Sequence, residues 1–161
     1  MLVKGIIDED FVNYKKPAMV IEFPYCDFKC DKECGRAICQ NSPLANEPNI
    51  EISHKKIIER YLSNPITKSI VCQGLEPFDS IFDVLYLIKI LRLNYNCHDD
   101  VIIYTGYNKE EINKNIIKEL EILGHVIIKY GRYIPDQKPH YDEVLGVNLA
   151  SDNQYAERLK E

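Results

Sequence analysis

Four cysteines lie within fourteen consecutive residues near the amino terminus, and no other feature of the sequence constrains this chain as strongly. They are Cys26, Cys30, Cys34 and Cys39, separated by three, three and four residues. Thiolates placed this closely bind soft metals, which in proteins means zinc or an iron–sulfur cluster. We therefore expect this segment to form a tight metal-binding loop.

The spacing of the cysteines helps to distinguish between the two metals. A structural zinc site usually takes its four ligands as two close pairs from separate segments, whereas here all four thiols come from one segment. One loop wraps around a large cubane more easily than around a single small ion, so the pattern favours an iron–sulfur cluster over a structural zinc site. A cluster held by three cysteines would leave one iron open for a small molecule, and the pair Cys26 and Cys30 suits that use.

Composition and charge exclude several other classes of protein. The chain has 161 residues, of which 45% are hydrophobic and 28% charged, so we expect one folded domain over residues 1–161. Its formal net charge of −5 argues against a nucleic-acid partner. No apolar run is long enough for a membrane span, and acidic residues at 8–10 come too early for a secretory signal peptide. We therefore expect a cytoplasmic protein with reduced cysteines and no membrane partner.

Apolar patterning predicts four strands. Short runs rich in branched apolar residues indicate strands at 18–23, 69–72 and 101–104, and a fourth strand that begins at Val126. The segment 40–52, with its prolines and asparagines, should be a loop.

Helices are predicted between these strands. One should follow Ser53, a second should begin near Asp79, and a third should follow Asn108, where Glu111 completes a capping box. In the second helix, Phe82 falls on the predicted apolar face with Leu85, Ile88 and Leu91. Alternating strands and helices predict an α/β fold, in which a mainly parallel sheet is covered by helices.

Three unusual segments directly follow predicted strands. They are the cysteine segment, residues 73–77 and residues 105–107. Ligands of parallel α/β sheets gather at the carboxyl ends of the strands. The three segments should therefore meet at one edge of the sheet and form a site.

Five stretches of the chain, together with the cysteine segment, resemble the radical SAM enzymes. The similarity is greatest to the activating proteins of anaerobic ribonucleotide reductase, and it covers nearly the whole chain. The five stretches are Gly5 to Asn13, Gly74-Leu75-Glu76-Pro77, Ile103 to Tyr107, Tyr130-Gly131-Arg132-Tyr133, and Gly146 to Gln154.

This resemblance implies a fold, two cofactors and a reaction. The fold would be a small partial β/α barrel, and the cofactors would be a [4Fe–4S] cluster and S-adenosyl-L-methionine (SAM). One electron from the reduced cluster would release methionine and a 5′-deoxyadenosyl radical, which takes a hydrogen atom from a glycine of the reductase. The cluster and SAM carry the chemistry, so no further catalytic side chain is implied.

The resemblance also implies binding residues and partners. Glu76 would contact the amino group of SAM through a charge-assisted hydrogen bond, and the cofactor-binding positions would also include Gln73, Gly74, Tyr104 and Thr105. The partners would be the catalytic chain of anaerobic ribonucleotide reductase and an electron donor of flavodoxin or ferredoxin type.

The third cluster ligand departs from the family's pattern. The family's third cysteine follows the second after two residues, and Glu33 occupies that position here. Cys34 nearly keeps the spacing. Cys39 lies farther on but precedes Gln40-Asn41, which resembles the family's Cys-x-Asn. The sequence leans towards Cys39 and leaves Cys34 open, since ligation by all four cysteines would close the open iron.

Two other functions fit the same residues. The chain could be a small radical SAM enzyme acting on another metabolite or polypeptide, or a non-catalytic iron–sulfur or zinc scaffold. Outside the site, we expect Cys72 and Cys97 to be inert thiols, Tyr107 to be a packing residue, and Arg132 to form a surface salt bridge.

Overall fold

The computed structural model describes residues 1–160 of the chain and forms strands and helices in alternation. The strands are β1 Leu2–Val3, β2 Gly5–Asp10, β3 Ala18–Phe23, β4 Ile50–Glu51, β5 Ser69–Gly74, β6 Asp100–Tyr104, β7 Val126–Tyr130, β8 His140–Asp142, β9 Val147–Leu149 and β10 Tyr155–Arg158. The α-helices are α1 Lys29–Cys34, α2 Ser42–Ala45, α3 His54–Ser63, α4 Ile81–Leu93 and α5 Lys114–Leu123. Two 3₁₀ turns span Pro77–Ser80 and Lys109–Glu111.

Within residues 1–160, the largest sheet has six strands in the order β10-β7-β6-β5-β3-β2. Its four central strands, β3, β5, β6 and β7, pair in parallel, whereas β2 and β10 pair antiparallel at the two edges. The prediction of a mixed α/β fold with a largely parallel sheet is confirmed. The antiparallel edges were not predicted, because β2 is half exposed and ends in three acidic residues, so it lacks the apolar run of a buried strand.

The two faces of the sheet are covered differently. Helices α3, α4 and α5 pack on one face against strand residues such as Ile70, Cys72 and Ile103. On the other face, Val71 and Ile102 pack with Leu145 and Leu149, from the segment that carries β8 and β9. Successive strand residues therefore supply two separate apolar layers, as the alternation of a pleated strand requires. Cys72 is fully buried in the first layer, as expected.

The second and third helices begin later than predicted. Pro77–Ser80 forms a 3₁₀ turn, so α4 starts at Ile81 and buries Val84, Leu85 and Ile88 while Phe82 is 79% exposed. The capping box of Asn108 and Glu111 does form, but it closes a 3₁₀ turn. Ile112 is extended after that turn, and α5 begins at Lys114 with Asn113 as its cap.

A group of paired charges lies at the amino end of β6. Oδ2 of Asp100 accepts hydrogen bonds from the Tyr14 hydroxyl at 2.9 Å and the Lys16 ammonium at 2.8 Å, and Oδ1 accepts one from Arg158 at 2.8 Å. Burial disfavours ionisation of Asp100, but these three donors outweigh it and hold the pKa of the carboxyl below its usual value. Asp100 therefore joins β6 to the segment before β3 and to β10.

In residues 1–160, no helix is both long enough and apolar enough to cross a bilayer.

Candidate metal centre

A cavity of about 290 Å³ opens at the carboxyl edge of the parallel strands. The cysteine segment, the end of β5 and the end of β6 all border it, so the three segments that follow predicted strands do meet. All five predicted SAM-binding residues line its wall, namely Gln73, Gly74, Glu76, Tyr104 and Thr105. The end of β7 adds Lys129 and Gly131 to the same wall.

The structure separates the four clustered cysteines into a group of three and one other. Cys26, Cys30 and Cys39 are partly buried and border this cavity. Cys34 is exposed and borders a second cavity, which it shares with Cys30 and Arg132. The thiol of Cys34 therefore lies outside the space that the other three surround.

The cysteine segment turns sharply before it forms a short helix. Phe28 adopts a left-handed conformation with φ of 55°, and its backbone N–H donates a hydrogen bond to Sγ of Cys26 at 3.2 Å. Helix α1 follows directly and ends at Gly35, whose φ of 69° favours glycine. The segment therefore consists of a turn, the short helix α1 and an irregular stretch that leads to Cys39, whereas the sequence predicted only a loop.

Hydrogen bonds made by two polar side chains, those of Asp31 and Asn41, fix the backbone around Cys39 beside the cavity. Oδ1 of Asp31 accepts hydrogen bonds from the backbone N–H groups of Ile38 and Cys39, both at 2.8 Å. Nδ2 of Asn41 donates to the carbonyl oxygen of Gly74 at 2.9 Å and so attaches the segment to the end of β5. Asp31 was not identified from the sequence, because its partners lie seven and eight residues away in an irregular stretch.

Glu33, at the position of the family's third cysteine, pairs with Arg132. Its Oε1 lies 3.2 Å from Nε of Arg132, whose two terminal nitrogens donate to the carboxylate of Glu111 at 2.7 Å each. The guanidinium holds the pKa of Glu111 down at about 2. The expected salt bridge of Arg132 does form, but Arg132 itself is buried and not at the surface, and its ion pairs tie α1 to the turn Lys109–Glu111.

Glu76 is a buried carboxylate in the cavity wall. Its side chain follows β5, is only 5% exposed, and accepts hydrogen bonds from the backbone N–H groups of Phe78 at 3.0 Å and Gly106 at 2.9 Å. Burial raises the pKa of Glu76 to about 7, although the backbone donors and the Thr105 hydroxyl oppose that shift. The two N–H groups hold the carboxylate at one place in the wall, and a carboxylate can accept further hydrogen bonds.

Lys129 is a buried cation in the same wall, and its place there was not predicted from the sequence. The residue is 7% exposed, and its Nζ donates to the carbonyl oxygen of Gly131 at 2.9 Å. Burial lowers the pKa of Lys129 to about 8, against the attraction of Glu76 and Cys30. A signal was present, since Lys129 is the one charged residue in β7, an otherwise apolar and aromatic strand.

Tyr104, the last residue of β6, and Tyr107, three residues later, differ in position. Tyr104 borders the cavity, and its hydroxyl donates to the carbonyl oxygen of Asn13 at 2.6 Å. Tyr107 packs near Phe78, and its hydroxyl donates to Asp79 at 2.7 Å. Tyr104 therefore belongs to the cavity wall, while the contacts of Tyr107 match the expected packing role.

Burial disfavours ionisation of two of the cavity thiols, Cys26 and Cys30, when no metal is bound. Burial raises the pKa of Cys26 to about 12, and the nearby charges of Glu76 and Asp79 add to the effect. Burial also raises the pKa of Cys30, while the backbone N–H of Tyr133 and the charges of Arg132 and Lys129 oppose it. A metal centre binding here must displace these protons.

The donor set fits a cluster held by three cysteines. Within residues 1–160, no three His, Cys, Asp or Glu side chains stand close enough together to hold a single metal ion. Three thiols, from Cys26, Cys30 and Cys39, do border one cavity, and soft sulfur ligands are those that iron–sulfur clusters use.

Comparison with protein families agrees with this chemistry. The sequence matches the family model described as a 4Fe–4S single cluster domain over residues 18–154. That span contains the four clustered cysteines and the four parallel strands. A comparison with curated proteins gives no match.

Proposed function

The chain belongs to the family of 4Fe–4S single cluster domains, which is associated with radical SAM proteins, and from this premise we propose that it is a radical SAM activase. Its proposed activity is to cleave SAM reductively and generate a glycyl radical on anaerobic ribonucleotide reductase. The observation that carries the proposal is one arrangement: three thiols and the buried carboxylate of Glu76 border a single cavity at the carboxyl edge of a parallel sheet.

We assign the cluster to Cys26, Cys30 and Cys39. Support for Cys39 comes from Asp31, which accepts the Cys39 N–H, and from the contact of Asn41 with the end of β5. Cys34 borders the other cavity and is left out of the ligand set. Three ligands leave one iron of a four-iron cluster without a protein thiolate, as SAM binding requires.

SAM would occupy the rest of the cavity. When bound, the cluster supplies the electron that cleaves SAM to methionine and a 5′-deoxyadenosyl radical. In this proposal Glu76 binds the amino group of SAM, because its carboxylate is held by backbone donors and can accept more hydrogen bonds. Gln73, Gly74, Tyr104 and Thr105 would line the wall around SAM.

The proposed substrate is a protein, which must reach the cavity from outside. Val12 borders the cavity and is 73% exposed, and its neighbour Phe11 is also exposed. Exposed apolar side chains beside a site suit a protein partner. We propose that this partner is the catalytic chain of the reductase, that a flavodoxin- or ferredoxin-type protein donates the electron, and that the reaction takes place in the cytoplasm.

Reductive cleavage of SAM tests the enzymatic part of this proposal. The protein would be reconstituted with iron and sulfide without air, then mixed with dithionite and SAM, and 5′-deoxyadenosine would be quantified by chromatography. We expect cleavage by the wild type and none by Cys26→Ala, whereas Cys97→Ala, outside the cavity, should match the wild type. A four-iron cluster without SAM cleavage would refute the enzyme and favour a scaffold, and zinc as the bound metal would do the same.

A second experiment tests the identity of the substrate. The reconstituted protein, SAM and dithionite would be mixed with an anaerobic ribonucleotide reductase from the same organism, and the EPR spectrum recorded. We expect the doublet of a glycyl radical on the reductase. SAM cleavage without that doublet would favour a radical SAM enzyme that acts on another substrate.

A further inference from the structure

Lys129 is a buried charge that the proposed reaction does not use. It lies near the end of β7, and its side chain borders the same cavity as Cys30 and Glu76. An ammonium group can donate three hydrogen bonds; in the described part of the chain, the one seen for Lys129 goes to the carbonyl oxygen of Gly131. Taking a charge out of water is unfavourable unless it is paired, so a lone buried ammonium points to a negative partner in the cavity.

The surrounding residues do not supply that partner in full. Glu76 attracts Lys129 electrostatically, but no ion pair joins the two among residues 1–160, and the oxygens of Glu76 already accept hydrogen bonds from Phe78 and Gly106. The ring of Tyr104 lies 5.9 Å from Nζ, which adds a weak cation–π contact. A negative group bound in the cavity would complete the environment of Lys129.

A cluster held by three thiolates is such a negative group. A [4Fe–4S] core in its oxidised form carries two positive charges, so three thiolate ligands make the whole centre negative, and reduction adds one more negative charge. A fixed cation near the cluster stabilises the reduced form more than the oxidised form, because its attraction grows with the charge of the centre. Lys129 and Cys30 border the same cavity, so the cation lies in the wall that also carries a proposed ligand.

We infer that Lys129 is a tuning residue that raises the reduction potential of the cluster through its positive charge. The inference rests on the proposed function insofar as a cluster must be bound by Cys26, Cys30 and Cys39. In this role Lys129 does not contact the reacting atoms. As a consequence, an electron donor can reduce this cluster at a less negative potential than it could without the charge.

Potentiometry of the reconstituted protein tests the inference. The reduced cluster would be followed by EPR at pH 7 as the potential is lowered, without SAM, in the wild type and in Lys129→Met, which keeps the length of the side chain and removes its charge. We expect the equilibrium constant for reduction to fall about tenfold in Lys129→Met, which corresponds to about 59 mV for one electron. An unchanged potential would overturn the inference.

Two further variants separate charge from packing. Lys129→Arg keeps the charge and should stay within about threefold of the wild-type constant, and Lys89→Met removes an exposed lysine on α4 and should change nothing. If Lys129→Met and Lys129→Gln both fail to assemble a cluster while Lys129→Arg assembles one, the charge serves assembly and the inference is wrong.

The outcomes also distinguish this inference from the proposed function. A wild-type protein that binds no four-iron cluster contradicts the proposed function. A wild-type protein that binds the cluster and cleaves SAM, with the same potential in Lys129→Met, contradicts the inference alone.

Discussion

Buried charged residues lie at opposite ends of the parallel strands: Asp100, at the amino end of β6, forms ion pairs with opposite charges, whereas Glu76 and Lys129 at the carboxyl edge form none among residues 1–160. At the amino end of β6, Asp100 receives hydrogen bonds from Tyr14, Lys16 and Arg158. At the carboxyl edge, Glu76 and Lys129 border a cavity and are held by hydrogen bonds to the backbone. Both groups lie at the same sheet, but Asp100 has charged side chains as partners, whereas Glu76 and Lys129 have backbone groups.

The difference shows in the pKa values of the two groups. Partners keep the pKa of Asp100 low despite its burial, so ionisation of this carboxyl stabilises the fold. At the other edge, burial moves the pKa of Glu76 up to about 7 and that of Lys129 down to about 8, so the fold disfavours both charges. Buried charges that lower the stability of the fold are typical of functional sites. A bound ligand with complementary charges would pair with Glu76 and Lys129 at this edge.

The largest effect should come from removing a proposed cluster ligand at the cavity edge. Cys39→Ala should lose nearly all bound iron, because its thiol borders the cavity, whereas Cys34→Ala should keep it. Iron and sulfide per chain after anaerobic reconstitution, with the visible absorption spectrum, measure this. The reverse result would make Cys34 the third ligand.

A smaller loss is expected when the support of Cys39 is removed. Asp31→Ala abolishes two backbone hydrogen bonds, which together contribute about 2 kcal/mol to holding the loop, so the cluster should bind more weakly and be lost to a chelator sooner. Asp31→Asn keeps an acceptor oxygen and should behave like the wild type. The rate of cluster loss to a chelator measures this, and equal rates in all three proteins would contradict it.

Removing a charge should lower the free energy of unfolding more at Asp100 than at Lys129. Asp100→Asn gives up charge-assisted hydrogen bonds to Lys16 and Arg158 and should lower the free energy of unfolding by about 2 kcal/mol. Lys129→Met removes a buried charge that forms no ion pair within residues 1–160, and it should leave the free energy of unfolding within about 1 kcal/mol of the wild type or raise it. Urea unfolding of the metal-free, reduced proteins compares them. A larger loss in Lys129→Met would show that the cavity charge is structural.

The pH dependence of stability should also differ between the two ends. Because the folded pKa of Asp100 is lowered, its contribution is present above the ordinary pKa of 3.8 and is lost as the pH falls. Because the folded pKa of Glu76 is raised, its contribution is present below 4.5 and is lost as the pH rises to about 7. Each group contributes at most about 1.4 kcal/mol per pH unit.

Two variants isolate these slopes. In urea unfolding of metal-free protein between pH 3 and pH 7.5, Asp100→Asn should flatten the decline in acid, and Glu76→Gln should flatten the decline between pH 4.5 and 7. A wild-type slope in Glu76→Gln would mean that its carboxyl is ionised in the folded chain at low pH.

The parallel strands and the position of the site were predictable because their signals are local. A buried parallel strand such as β5 is a continuous apolar run, and the cysteine segment directly follows such a run. The carboxyl ends of parallel strands lie at one edge by geometry, so the meeting of Cys26, Glu76 and Thr105 follows from the order of the elements.

Contacts between residues far apart in the chain could not be predicted in this way. The pairing of Glu33 with Arg132 joins residues about a hundred positions apart, and the cavity position of Lys129 depends on how β7 ends. The edge strands β2 and β10 carry little apolar pattern, since they acquire their structure from the neighbouring strands.

The sequence alone therefore determined the chemistry of the site: soft thiol donors in one segment, beside a parallel sheet. The tertiary structure decided which thiols share a cavity and which charges are left unpaired there. The reason is physical, because ligand type is a property of a side chain, whereas burial and pairing depend on what the rest of the folded chain places around it.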